Sequence, residues 1–135
     1  MPPVDDRAGA DNLGSVVEVQ VFGTQKSQNT RKALRFFSER RVKVHFVDLR
    51  ERAATHGELT RFVQKFGVSA LIDMASMRYH DLGLASGRYS DAHWVGLLCD
   101  EPLLLRQPLT RFGAKLTIGL AVADWQSWVD GAKQK

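Results

Sequence analysis

Cysteine is nearly absent: of 135 residues only Cys99 carries a thiol, and proline occurs four times. A single cysteine excludes an internal disulfide and a cysteine-built zinc cluster, so the fold has to rest on its hydrophobic core. A chain of this length buries about two thirds of its unfolded surface, which is enough for that. No run of about 18 apolar residues is present, which argues against a transmembrane helix. The first fifteen residues, MPPVDDRAGADNLGS, hold early acids and no apolar stretch. They read as a polar, mobile tail rather than a signal peptide, and the expected compartment is the cytoplasm. Nor does one sign of charge dominate. Nineteen basic and fifteen acidic residues give +4, a mild bias toward anionic partners and no argument for nucleic acid. One globular domain is expected over residues 16–131, with a polar tail at 132–135.

What is present is a clear order of elements. VVEVQVF (16–22) alternates, with Val17, Val19 and Val21 on one side and Glu18 and Gln20 on the other, and predicts a strand. Ala33, Leu34 and Phe37 at helical spacing predict a helix from about Gln28 to Arg40, and VKVHFV (42–47) a second strand. A strand, a helix and a strand make a βαβ unit with parallel strands. Leu59, Phe62, Val63 and Phe66 mark a second helix closed by Gly67. Residues 68–90 read as loops or short helices, and Ser90 or Asp91 caps a helix containing Trp94, Val95 and Leu98. Leu103–Leu105 and Leu116–Ile118 are expected as two strands joined by a turn at Arg111–Ala114, with Gly113 at positive φ. Asp124 is expected to cap a last helix that ends at Gly131. The order βαβ, helices, ββα predicts an α/β fold of thioredoxin-like plan, a mixed sheet with a helical insertion.

In a parallel βα turn, the first helical N–H groups and the helix dipole form a site for anions. Here that segment is Gly23-Thr24-Gln25-Lys26-Ser27-Gln28-Asn29-Thr30-Arg31, dense in hydroxyls, amides and cations. It reads either as a small oxyanion site or as a helix start whose polar groups satisfy their own backbone. Arg106 or Gln107 is expected near it, Arg106 as charge and Gln107 with Pro108 as the opposite wall, unless Pro108 is a plain edge-strand proline. Cys99, at the end of an apolar helix, reads as a buried core thiol, and its rival role is that of a displaced nucleophile. His45, His56, His80 and His93 read as structural or exposed. The basic run Arg31, Lys32, Arg35, Arg40, Arg41 and Lys43 reads either as a solvated helix face or as a face for nucleic acid or a protein partner, with Phe36 and Phe37 as core.

The run VQVFGTQKSQNTRKALRFFSERRVKVHFVDL (19–49) and the later DEPLLLRQPL (100–109) resemble two signatures of the arsenate reductase family of glutaredoxin-linked type and its Spx-like relatives. The resemblance covers about residues 16–130. It implies a thioredoxin-like fold, arsenate, arsenite or phosphate as ligand, no bound cofactor or metal, and external glutathione with glutaredoxin, or thioredoxin, as reductant. It also implies that Ser27 occupies the position of the family's nucleophilic cysteine, with Thr30 and Arg31 in register behind it. Gln107 stands where an anion-contacting arginine precedes the proline, with Arg106 one residue off, and a second family arginine falls near Asp73. A serine hydroxyl donates well to an oxyanion and is a poor redox nucleophile. Two further readings follow: a non-catalytic, Spx-like protein-interaction module, and a glutathione-recognising protein that uses Ser27 to stabilise a thiolate.

Overall fold

The computed structural model describes residues 18–133. The expected tail at 1–15, the strand start at Val16 and Val17, and the last two residues lie outside the described residues. Strand β1 (Glu18–Gly23) buries Val19 and Val21 on one face and Phe22 on the other, the signature of a central strand. It pairs in parallel with β2 (Lys43–Asp48), from Glu18↔Lys43 to Gly23↔Asp48. Helix α1 (Gln28–Glu39) crosses between them. Arg41 turns the chain out of that helix at φ 60°, which lets the Val42 N–H return to the Phe37 carbonyl.

Helix α2 (His56–Phe66) starts in a reciprocal cap, Thr55 accepting from the Glu58 N–H while Glu58 accepts from the Thr55 N–H. It closes at Gly67, whose φ of 83° favours glycine. The middle segment holds a 3-10 turn (Val68–Leu71), α3 (Met77–Asp81), a second 3-10 turn (Leu84–Ser86) and α4 (Asp91–Asp100), capped by Ser90. No helix among the described residues is long and apolar enough to cross a membrane.

Two expectations need correction. Leu103–Leu105 is not a strand: Pro102–Leu104 forms a 3-10 turn, and Leu105 makes only an isolated bridge to Ile72. Pro102 has no N–H to give a ladder, and its fixed φ suits the first position of a helical turn. The strand lies downstream as β3 (Leu109–Phe112), turning at Gly113 and Ala114 into β4 (Lys115–Ile118). Arg111 and Phe112 thus belong to the ladder, while Gly113, at φ 61°, and Ala114 form the turn as expected. Helix α5 (Val122–Lys133) starts before Asp124 and runs through Gly131 into the expected polar tail. A glycine inside a helix costs about 1 kcal/mol relative to alanine, less than the packing of Trp125, Trp128 and Val129 returns.

The sheet runs β2-β1-β3-β4, with β3 antiparallel to both neighbours. One face packs Val19, Val21, Ala33, Phe36, Phe37 and Trp125 between the sheet and helices α1 and α5. The other packs Phe22, Leu59, Phe62, Leu98, Leu104 and Leu109 beneath α2 and α4. Arg40 extends over the Phe36 ring, 3.7 Å from its centroid, and donates to Gln126 on α5. Arg31, Lys32, Arg35, Arg41 and Lys43 stay exposed, as do all four histidines. His93 stacks on Tyr89.

The first core contains a matched pair of threonines. Thr117 accepts from the Trp125 indole N–H at 2.9 Å, whereas its cross-strand neighbour Thr110, fully buried, has a hydroxyl with no partner among the described residues. Valine has nearly the same shape, so the two substitutions should act with opposite signs. Thr110→Val removes an unmatched polar group and should leave stability unchanged or raise it by about 1 kcal/mol. Thr117→Val strands a buried indole N–H and should cost about 1–2 kcal/mol. Urea unfolding midpoints at constant slope measure both, and equal losses would contradict the assignment.

Candidate functional site

The loop after β1 is shaped by its own backbone. The Ser27 N–H donates to the Thr24 carbonyl at 3.1 Å, closing a turn with Gln25 and Lys26 at its exposed tip. Ser27 then caps α1: its Oγ accepts from the Thr30 N–H at 3.2 Å, and its carbonyl from Arg31 N–H at 3.1 Å. Gly23 has no side chain because one there would run into Thr30. Arg31 folds back so that its guanidinium donates to the Gln25 carbonyl at 2.6 Å. Arg31 and Lys26 are both exposed, at the edge of the site rather than inside it.

Gln107, followed by a cis peptide bond to the buried Pro108, faces this loop. Its side-chain oxygen accepts from the Thr24 N–H at 2.7 Å, the Thr24 hydroxyl at 3.1 Å and the Thr30 hydroxyl at 3.4 Å. A backbone N–H can only donate, so the amide atom next to Thr24 is the oxygen and the NH2 is turned away. The Gln107 carbonyl thereby occupies the inner donors of the loop.

Outside that knot a polar cleft of about 350 Å3 remains, bounded by Ser27, Gln28, Asn29 and Gln107, with Asp73, Leu103 and Leu105 completing the wall. Among the described residues nothing accepts from the backbone N–H groups of Gln28 and Asn29, from the Ser27 hydroxyl or from the Gln107 NH2. The first two are the unpaired N–H groups that every helix start leaves. Asp73 reaches the cleft because its N–H donates to the Leu104 carbonyl and the Arg106 N–H to the Leu71 carbonyl, tying the two segments together. Its carboxylate accepts from the Ala75 N–H at 3.1 Å.

One expected participant is placed elsewhere, and Cys99 takes its expected place in the core. Arg106 turns toward Gly119 and lines a separate cleft with Lys65 and Lys115, so it does not join the Ser27 wall. Strand alternation accounts for this: neighbours in an extended run point opposite ways, and Gln107 takes the inward place. Cys99 lies in the core beneath α2 and α4. Burial pushes its thiol pKa up, and Asp100 and Glu58 add to the rise. Glu101, two residues on, is paired with Arg78 at 2.6 Å. The wall formed by Asp73, Leu103 and Leu105 carries no local sequence signal, since it depends on a bridge between distant segments. No group of three or more metal-ligating side chains is found among the described residues.

A four-stranded mixed sheet with a βαβ start, an antiparallel ββ end and helices on both faces defines a thioredoxin-like α/β protein. Within that class the chain belongs to the ArsC family, whose model matches residues 22–128. It is 29% identical over 94 residues to the arsenate reductase of Yersinia enterocolitica, a match spanning 67% of this chain but only 64% of that protein. It is 26% identical over 98 residues to the uncharacterized protein YusI of Bacillus subtilis, spanning 70% and 83% of the two chains. Among solved structures, an arsenate reductase from Vibrio cholerae superposes with a TM-score of 0.74 at 18% identity, over 84% of this chain and 98% of that one. That likeness bears on the fold.

Proposed function

We propose that this ArsC-family chain binds a small oxyanion of the arsenate or phosphate class at the start of α1 and holds it without reducing it. The observation that carries the reading is the set of uncommitted donors around one cleft: Gln28 and Asn29 N–H, the Ser27 hydroxyl and the Gln107 NH2. The helix dipole adds attraction for negative charge at that spot. Ser27, which the sequence resemblance puts at the position of the family's nucleophilic cysteine, offers a hydrogen bond where a reductase needs a thiolate. The one thiol of the chain, Cys99, is buried and not part of the cleft. Glutathione with glutaredoxin, or thioredoxin, therefore has no sulfur here to regenerate.

Asp73 refines the ligand. Its carboxylate in the wall favours a singly charged, protonated oxyanion over a doubly charged one, so affinity should fall as pH rises through the ligand's second ionisation. Thermal unfolding with arsenate, phosphate or arsenite tests the reading. A ligand at a hundred times its Kd adds about 2.7 kcal/mol, and Ser27→Ala should weaken binding about tenfold through loss of a hydrogen bond to charge. Stabilisation that ignores the Ser27→Ala change, or none with any of the three, would overturn it. Steady arsenite production by the native chain with either thiol couple would overturn the non-reducing part alone.

A further inference from the structure

Strand β4 ends the sheet, and among the described residues nothing pairs with its outer side. Which backbone groups face outward follows from the ladder. Phe112 and Lys115 flank the two-residue turn, and the Gly119 N–H donates to the Pro108 carbonyl at 2.8 Å. Hydrogen-bonded pairs alternate, so Thr110↔Thr117 is bonded and Leu109↔Ile118 and Arg111↔Leu116 are not. The N–H and C=O groups of Leu116 and Ile118 therefore point away from β3, into the space beyond the sheet.

That space is a cleft of about 490 Å3, separate from the one at Ser27 and sharing no residue with it. It takes lining from all four residues of β4 and from both sides of the sheet. Phe66 and Ala70 form the wall at the end of α2, and Ala121 and Trp128 the wall at α5. Three cations, Lys65, Arg106 and Lys115, ring it against a single carboxylate, Asp124. None of the three is in a salt bridge among the described residues, while Lys65 lies 5.4 Å over the Phe66 ring. Phe66 is itself 38% exposed. A lysine on an edge strand ordinarily discourages pairing, but it does so by charge and so selects for an acidic strand.

The geometry points to a peptide-docking edge: an acidic, extended segment of a partner protein adds to β4 as a fifth strand, bonding to the backbone of Leu116 and Ile118 and placing carboxylates against Lys65, Arg106 and Lys115. Main-chain bonds supply the affinity in such augmentation, and side-chain charge supplies the choice of partner. At about 3.3 Å per residue, a strand of this length receives four to six residues of peptide.

The probe is the synthetic peptide acetyl-Glu-Val-Asp-Val-Glu-Thr-amide, titrated into the full chain labelled with nitrogen-15. Binding should slow amide exchange at Leu116 and Ile118 by tenfold or more. Reversing charge in the Lys65→Glu, Lys115→Glu double variant should weaken it at least tenfold, as should replacing the peptide's acids by lysine. Two further peptides, N-methylated at odd or at even residues, leave the protein untouched. One of them should fail to bind and the other should not, because only alternate residues face the ladder. Equal effects of acetylglutamate alone and of the peptide would reveal a small-anion site and overturn the strand. Protection of Leu116 and Ile118 without peptide would also overturn it. If it grew with protein concentration the occupant is a second copy, and if it did not, a segment of this same chain. No exchange change at β4 would end the proposal.

Discussion

Replacing Ser27 with cysteine should create a thiolate at neutral pH in a protein whose native cleft has none. The introduced sulfur would stand at the cap of α1, facing the N–H groups of the first turn. Thiols so placed titrate at about 7 or lower, against about 8.5 for a free cysteine. The native thiol, Cys99, is displaced in the other direction by burial and by Asp100 and Glu58. Thiolate absorbance followed through a pH titration should therefore resolve two well-separated steps in Ser27→Cys and only the upper one in the native chain. If the cleft also holds arsenate, the variant should form arsenite with glutathione and glutaredoxin while the native chain stays at background. A new thiol titrating at or above the ordinary value would show that the helix start is too exposed or too close to Asp73 to stabilise an anion. That result would count against oxyanion binding as well.

The Gln107→Leu variant should lose about 2–3 kcal/mol of stability, because a buried N–H left without an acceptor costs that much. At a few degrees per kcal/mol for a domain of this size, melting should drop by roughly 8–12 °C. One amide oxygen accepts from both Thr24 and Thr30, and so fastens the segment before β3 to the loop after β1. Thr24 and Thr30 are almost completely buried, so water replaces the lost acceptor poorly. Gln107→Glu is the informative companion. It keeps an oxygen in the same place and should retain most of the stability at neutral pH, yet add negative charge beside Asp73 and weaken anion binding. If the leucine variant melts within about 2 °C of the native chain, Gln107 does not hold the two loops.

Much of the fold was legible because it follows local rules. The alternation at Val19 and Val21, the Ser27 and Ser90 caps and the stop at Gly67 each announce an element within a few residues. Leu103–Leu105 misled because three apolar residues fit a strand or a 3-10 turn equally well, and the bridge from Leu105 to Ile72 decides between them. Asp124 is a good cap and so predicts a shorter last helix, whereas packing around Trp125 starts it at Val122. At the site, the loop residues could be read from the sequence, but not their partners. Whether Arg106 or Gln107 points inward depends on a one-residue phase that neither hydropathy nor spacing sets, and the structure gives it to Gln107. Asp73 approaches only through the pairing of two segments thirty residues apart in the chain.

The sealed position of Cys99 makes the molecule its own clock. A reagent that alkylates thiols has one target in the whole sequence, and that target lies in the core shared by α2 and α4. Each alkylation event must wait for those helices to part, so the labelling rate counts openings of that half of the protein. The half packed around Trp125 contains no sulfur and is invisible to the same reagent. Trp94 packs on the same core as Cys99, so alkylation compared with the fluorescence of a Trp94→Phe variant, which keeps only Trp125 and Trp128, would time the two faces of the sheet independently.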